Sequence, residues 1–256
     1  MDKLSRRSFF RAAGGAAAAL AAQPQALAAA PKQPPRPAAA RAQPATYLFF
    51  RPDEAAFIEA ATERLIPADA NGPGAREAGV GSYIDRQLAG AWGAGERLYR
   101  SGPWQQGEAS QGYQLPFTPA ELFRNGLRGV AALAQQQYHK PFAQLTAQQQ
   151  DTFLEALQKS SQDLEGVPGH VFFESLLAMT IEGFFSDPVY GGNHDMASWR
   201  MIGFPGAYAS FYDLVDQHGV AYTREPISIG DNGRGVIKLH PVHGPTAHGP
   251  NNHGGS

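Results

Sequence analysis

The sequence contains no cysteine in its 256 residues. It therefore forms no disulfide, and it offers no thiol nucleophile, no iron–sulfur ligands and no Cys-x-x-Cys-His attachment for a c-type haem. It also lacks the Gly-x-Ser-x-Gly, Gly-x-Gly-x-x-Gly and Gly-Lys-Ser/Thr patterns of hydrolase nucleophiles, dinucleotide folds and phosphate loops. The sequence thus carries no recognisable catalytic or cofactor motif.

Long apolar runs and a basic surface are also missing. After the N-terminal region, no stretch stays apolar over the roughly 18 residues that a membrane helix needs. Residues 1–46 hold seven Lys/Arg and one acidic residue, whereas the rest of the chain holds 14 basic and 22 acidic residues. An acidic domain without a basic stripe argues against nucleic-acid binding. We expect neither a nucleic-acid partner nor a membrane-spanning helix.

The first 30 residues have the three parts of an export signal. Arg6 and Arg7, followed by Phe9, form a twin-arginine pattern, an alanine-rich run covers Ala12 to Ala22, and a small-x-small site lies at 26–28. This order is typical of a Tat signal peptide, although a paired arginine before a short buried helix is the alternative. The Tat route carries folded proteins, so a cofactor is usually inserted before export, either into the chain itself or into a partner that is exported with it.

The remaining chain divides by composition into three parts. Residues 31–46 are rich in Pro, Ala and Arg and predict a disordered linker. Residues 47–223 predict one helical domain, and residues 224–256 predict an extended arm with a His/Gly/Pro-rich tail. For the tail histidines we expect a disordered segment that binds metals weakly, rather than a built metal site; they are His240, His243, His248 and His253.

Helix signals dominate the middle of the chain. Pro52 predicts a helix start, and Thr118 and Thr146 each begin a capping box. The segment from His170 to Phe185 is apolar almost all round, which predicts a helix buried in the core or covered by a partner. Strand patterns are nearly absent between residues 47 and 220. The predicted fold class is therefore all-α, a single irregular helical domain with long loops and an extended C-terminal arm.

Three further segments are short or have little periodicity. Ala207 to Leu214 predicts another helix, and Ile227 to Ile229 predicts an extended segment. The glycine-rich segment from Gly90 to Pro116 has little periodicity and contains Trp92, Trp104 and Tyr113. A loop of this length is either a functional docking surface or an ordinary loop whose aromatic side chains cover the core edge.

The stretch from Phe184 to Gly206, hereafter the motif segment, is the most distinctive part of the chain. It reads FFSDPVYGGNHDMASWRMIGFPG. The paired glycines permit positive φ and close backbone approach, which suits an anion nest, contact with another chain, or a simple turn. Trp199 and Arg200 are residue types that anchor interfaces, although Trp199 suits the core equally. We predict a partner interface containing Tyr190, Gly191, Gly192, Asn193, Trp199, Arg200 and Phe204.

A metal site is the alternative interpretation of this region. His194 and Asp195 lie close to Asp187 in sequence, and His170 precedes Glu174 by one helical turn. A free-standing periplasmic metal-binding protein or enzyme could use His170, Asp187, His194 and Asp195. Against it, Asp187 precedes a proline in a turn, Asp195 is a candidate N-cap for a helix reaching Met201, and no known ligand spacing is matched.

The motif segment resembles the signature of the gluconate 2-dehydrogenase subunit 3 family. The resemblance rests on Asp187 to Asn193, on Trp199 and on Ile202 to Gly206. Other segments also resemble the family, namely Ile66 to Asp69, Ala78 to Val80, Tyr83 to Asp85, Phe117 with the Thr118 capping box, and the twin-arginine leader. The resemblance covers roughly residues 50–220, and the His-rich tail departs from it. Because several Gly, Pro and aromatic positions must coincide, the central motif is specific.

The resemblance implies a non-catalytic small subunit with no cofactor of its own. The family pairs with a large glucose–methanol–choline-type flavoprotein that holds FAD, and many complexes add a multi-haem cytochrome c. The small subunit would supply the Tat address to its folded partner through the Tat translocase. The expected location is the periplasm, with the complex held at the inner membrane by partner subunits. A solute-binding protein is disfavoured, because the strand pattern of α/β lobes is missing.

Overall fold

The computed structural model describes residues 46–96, 98–105, 107–108, 111–208, 216, 218–219 and 224–232. The predicted export signal with Arg6, Arg7 and Phe9, the predicted linker, and the His-rich tail lie outside these residues. So does most of the predicted helix from Ala207 to Leu214. The predictions for those segments therefore remain predictions.

The described part of the chain is mostly helical, which confirms the predicted fold class. Two residue pairs form a short antiparallel hairpin, in which Leu164 pairs with Val167. The elements in order are α1 (Pro52–Leu65), α2 (Val80–Ala89), α3 (Pro119–Tyr138), a 3₁₀ turn (Phe142–Gln144), α4 (Ala147–Gln158), β1 (Asp163–Leu164), β2 (Val167–Pro168), α5 (Gly169–Phe185), 3₁₀ turns at Pro188–Tyr190 and His194–Met196, α6 (Ala197–Ile202) and α7 (Ile229–Asn232).

The helix starts follow the sequence signals. Thr118 accepts a hydrogen bond from the Glu121 backbone, and Thr146 does the same for Gln149, so both predicted capping boxes form. Each cap satisfies backbone N–H groups that the first turn of a helix leaves unpaired. α1 begins at Pro52 as predicted. These local signals place three of the four helices that surround α5.

Helix α5 is the centre of the domain. It packs against α1, α2, α3 and α4, and it also contacts β2 and α6. Its side chains on several faces are buried, including Phe172, Leu176 and Phe184, which are at most 1% exposed. This agrees with the prediction of a helix in the core, although Glu174, Ala178 and Glu182 on its remaining face are exposed. Because the motif segment begins with the last two residues of α5, its start is fixed to the core.

The buried carboxylate of Asp85 fastens the start of the domain to α2. Its oxygens accept hydrogen bonds from three successive backbone N–H groups, those of Leu48 at 2.6 Å, Phe49 at 2.8 Å and Phe50 at 2.9 Å. Asp85 is 2% exposed. A carboxylate is suited to this role because it only accepts and has several lone pairs. The first described residues are thereby held where Phe50 enters the core.

Three local predictions need correction. Asp195 does not cap a helix, because it has a left-handed backbone (φ 55°) inside a 3₁₀ turn, and α6 starts at Ala197. Ile229 is not extended but begins the short helix α7. Strand patterns are nearly absent between residues 47 and 220, and the sequence did not predict the hairpin in which Asp163 pairs with Pro168 and Leu164 with Val167. Within the described ranges, no helix is long and apolar enough to cross a membrane.

Candidate partner-binding surface

The buried side of the motif segment is built from its polar and glycine residues. Asn193 is fully buried with a left-handed backbone, and its amide donates to the Ser186 carbonyl at 2.9 Å. Its side-chain oxygen accepts from the backbone and the hydroxyl of Ser198, at 3.0 and 2.6 Å. One asparagine therefore joins the end of α5 to the start of α6. Asparagine tolerates this backbone better than most residues.

Each of the two paired glycines is required for a different structural reason. Gly191 has a backbone φ of +99°, a value that residues with a side chain rarely adopt. A Cβ on Gly192 would lie 2.1 Å from the carbonyl oxygen of Gly183, so Gly192 permits the turn to lie directly against α5. The predicted close backbone approach therefore occurs within this chain. Both glycines are buried, so any contribution to the predicted partner interface, still a prediction, is through the shape of the surface.

Trp199 supports the surface from beneath. It is 6% exposed, and its indole N–H donates to the Phe185 carbonyl at 2.8 Å. Its ring meets the ring of Phe204 edge-on, with centroids 5.1 Å apart. The burial places Trp199 in the interior of the chain, where it holds Phe204 in position. Any contribution of Trp199 to partner binding, still a prediction, is therefore through Phe204 and the local fold.

The outer side of the motif segment carries large apolar side chains that face solvent. We name these four the motif patch: Val189, Tyr190, Ile202 and Phe204, which are 48%, 51%, 57% and 45% exposed. Tyr190 and Phe204 are among the interface residues predicted from the sequence, whereas Val189 and Ile202 are not. Their exposure had no sequence signal, because apolar residues in a glycine-rich turn serve the core as often as an interface. Several exposed large apolar side chains on one short segment are typical of an interaction site.

A later segment of the chain packs on the motif segment. Residues 224–232, hereafter the strap, run beside Gly206, where Ala207 donates to the Ile227 carbonyl at 2.8 Å and Ile227 donates to the Pro205 carbonyl at 3.1 Å. Farther along, the Asp187 carboxylate accepts from the Ser228 hydroxyl at 2.6 Å and from the Ile229 backbone at 2.8 Å. The sequence predicted a turn at Asp187, or a metal site as the alternative, but not its bonds to the strap, since no local pattern pairs positions so far apart.

Arg200, a predicted interface residue, is exposed and connects the same two segments. Its Nε donates to the Glu225 carboxylate at 2.9 Å, and another guanidinium nitrogen donates to the Asp195 carbonyl. Glu225 is largely exposed, so this ion pair contributes little to stability. Arg200 therefore lies at the edge of the apolar surface as a polar rim, already paired within the chain.

The rim beyond Tyr190 contains a tyrosine and a carboxylate. The Tyr83 hydroxyl donates to the Glu182 carboxylate at 3.4 Å. Burial raises the pKa of Tyr83 to about 12, with the charge of Glu182 adding to the effect. Burial also raises the pKa of Glu182, partly offset by the hydrogen bond from Tyr83. Tyr83 consequently stays a neutral hydrogen-bond donor at neutral pH.

The geometry does not favour the alternative metal site. Among the described residues, no group of three or more His, Asp or Glu side chains is arranged to hold a metal ion. The Asp187 carboxylate is occupied by Val189, Ser228 and Ile229. The ring nitrogen Nδ1 of His170 lies 3.1 Å from the Ser160 carbonyl, at the opposite end of α5 from the motif segment. Asp187 and His170 therefore serve the fold at separate places, while His194 and Asp195 are exposed.

A second exposed aromatic surface lies on the loop between α2 and α3. Trp92, Tyr99 and Trp104 are 40%, 81% and 37% exposed and line an open cavity of about 430 Å³ together with Tyr113 and Phe117. Tyr113 donates to the Phe117 carbonyl at 3.2 Å, so part of this loop does close over the edge of the core. Both predicted interpretations of the loop thus have structural support.

Comparison with known proteins identifies the family. The model of the family described as gluconate 2-dehydrogenase subunit 3 matches residues 52–206. The match begins at the first residue of α1 and ends at Gly206, the last residue of the motif segment. No curated protein and no solved structure matches the chain. Because the family match covers more than half of the chain, this protein belongs to the gluconate 2-dehydrogenase subunit 3 family.

Proposed function

We propose that the chain is a non-catalytic accessory subunit of a periplasmic FAD-dependent dehydrogenase complex. The observation that carries the proposal is the family match over residues 52–206, since the family's name describes one subunit of a gluconate dehydrogenase. The exposed motif patch supports it, because a subunit needs an exposed apolar surface that its partner can cover. In this role the chain stabilises a large glucose–methanol–choline-type flavoprotein, which binds FAD and performs the oxidation.

The N-terminal sequence suggests a second part of the role. A twin-arginine signal is read by the Tat translocase, which carries folded proteins, yet this chain has no cofactor motif that requires folding before export. The two facts agree if the signal serves a flavin-loaded partner that is exported together with this chain. A multi-haem cytochrome c is proposed as a third subunit, and membrane association would occur through partners alone.

The export role predicts a loss of partner activity from the periplasm. Replacing Arg6→Lys and Arg7→Lys together removes the paired guanidinium groups and keeps the charge. We expect flavin-dependent dye reduction in the periplasmic fraction to fall about tenfold or more, with the flavoprotein retained in the cytoplasm. The double change Lys32→Arg and Arg36→Lys, in the predicted linker, is the matched control and should leave the fractions unchanged. Unchanged periplasmic activity in the Arg6/Arg7 variant would contradict the escort role.

The docking role predicts that a charge in the motif patch weakens the heteromer. Phe204→Asp places a carboxylate on an exposed apolar position, where a partner would have to desolvate it. We expect the affinity for the flavoprotein to fall by about thirtyfold, as for a hot-spot residue worth about 2 kcal/mol. Binding of the purified subunits is measured by biolayer interferometry, after circular dichroism shows that the variant is folded.

The control for this prediction is Tyr99→Asp, because Tyr99 is also an exposed aromatic residue but lies on the loop between α2 and α3. It should bind as the unsubstituted chain does. If Tyr99→Asp weakens the complex while Phe204→Asp does not, the flavoprotein binds the loop instead of the motif patch.

A further inference from the structure

The strap lies between two parts of the motif patch. At one end, Ile227 pairs with Gly206, which follows Phe204 and Pro205 in the chain. At the other end, Gly230 lies against the Val189 side chain, since a Cβ on Gly230 would be 3.7 Å from its Cγ2. The strap thus contacts the segment that carries Ile202 and Phe204 and the turn that carries Val189 and Tyr190.

A single buried carboxylate fixes this arrangement. Asp187 Oδ1 accepts from the Val189 backbone at 3.0 Å and from the Ser228 hydroxyl at 2.6 Å, while Oδ2 accepts from the Ile229 backbone at 2.8 Å. Asp187 and Ser228 are 8% and 6% exposed. Buried, charge-assisted hydrogen bonds of this kind are among the stronger ones in proteins. The turn at Val189 and the strap are therefore held in one fixed geometry.

The strap presents its own apolar side chain beside the patch. Ile229 is 54% exposed, although its backbone N–H is bonded to Asp187 and the neighbouring Ser228 is buried. A large apolar side chain on a fastened backbone loses little conformational entropy on binding, which favours affinity. Ile229 and Val189 are both exposed, and the backbone N–H of each donates to the Asp187 carboxylate. The surface formed by the motif patch thus continues onto the strap.

We infer that the strap is part of the surface that binds the flavoprotein subunit, with Ile229 as a contact residue that helps select the partner. The inference rests on the proposed function. The family match ends at Gly206, so the strap lies beyond the sequence that the family model describes. Where the members of a family share a binding surface, an added segment with its own contacts can make that surface selective for one large subunit. The occupant is the flavoprotein, because the strap is continuous with the patch assigned to it.

The chain provides a closely matched pair of variants for the test. Gly203 and Gly206 both have left-handed backbones, with φ +74° and +77°. A Cβ on Gly206 would lie 2.3 Å from the Ile227 carbonyl oxygen, whereas a Cβ on Gly203 would meet nothing within 4 Å. Gly206→Ala therefore adds to the backbone strain of Gly203→Ala a displacement of the strap and of the Trp199 ring, whose Cζ3 would lie 2.8 Å from the new Cβ, so Ile229→Asp is the variant that tests the strap alone.

The experiment measures the affinity of the purified flavoprotein, freed from its native heteromer, for full-length variants. Ile229→Asp and Gly206→Ala should each weaken binding by about thirtyfold, and Gly203→Ala should bind as the unsubstituted chain does. Ile229→Asp changes an exposed position, so it remains informative if Gly206→Ala fails to fold. Its folding is checked by circular dichroism.

Three results would overturn the inference. If Ile229→Asp binds normally while Phe204→Asp does not, the strap is outside the interface and the proposed function still holds. If Ile229→Asp only converts a dimer of this chain to a monomer, the strap binds a second copy instead. If no flavoprotein accompanies the unsubstituted chain, the proposed function fails first, and the inference fails with it.

Discussion

Replacing Asp85 with alanine should destabilise the domain by on the order of 3 kcal/mol or more. The substitution leaves the backbone N–H groups of Leu48, Phe49 and Phe50 without their shared acceptor. Phe50 is 6% exposed, so its N–H cannot regain water unless its ring leaves the core. The measurement is urea unfolding followed by circular dichroism.

A graded control separates the hydrogen bonds from the loss of the side chain. Asp85→Asn keeps one oxygen, which can still accept from Phe49 and Phe50, but turns an amide N–H₂ toward Leu48. It should cost less than Asp85→Ala and more than Glu155→Ala, an exposed change on α4 expected to fall within about 0.5 kcal/mol of zero. Equal stability of Asp85→Ala and the unsubstituted chain would show that the N-terminal segment is held by other contacts.

Replacing Asp187 with alanine should release the strap while the helical core stays folded. The change removes the acceptor for Val189, Ser228 and Ile229, and the strap can detach without opening the core. We expect the protection of the Ile229 amide against hydrogen exchange to fall by about thirtyfold, equivalent to about 2 kcal/mol of local stability. The measurement is hydrogen exchange by mass spectrometry over peptides covering residues 224–232.

Asp195→Asn is the matched control for this variant. Asp195 lies in the same motif segment, its side chain is exposed, and asparagine tolerates its left-handed backbone. Exchange in the strap should be unchanged in this control. If Asp187→Ala also leaves the exchange of Ile229 unchanged, the carboxylate is not what holds the strap.

Helix starts could be predicted because their causes are local. The side chains of Thr118 and Thr146 accept hydrogen bonds from unpaired N–H groups of the first helical turn, and Pro52 has no N–H to leave unpaired. A short sequence window therefore contains every residue that each helix start requires. The apolar segment that becomes α5 was equally clear, because few residues on it could face water. The resemblance at Asp187 to Gly206 identified the family because its glycine, proline and aromatic positions all lie within one short stretch of sequence.

The division of the motif segment into buried and exposed residues could not be predicted. Trp199 and Phe204 are similar apolar residues five positions apart, yet one is buried and the other is nearly half exposed. The difference depends on Phe185, which accepts the indole hydrogen bond and belongs to another helix. Likewise, the partner of Asp187 is Ser228, and pairing across such a separation leaves no periodic pattern.

The central claim is that this chain is a subunit of a flavin-dependent dehydrogenase and has no flavin of its own. The most direct test is to purify the full chain from its native cells by a C-terminal tag and to measure bound FAD per chain. The account predicts a stable heteromer with equimolar FAD, in which the flavin stays with the large subunit after the two are separated. A chain that purifies alone without flavin, while dehydrogenase activity elutes elsewhere, would contradict it.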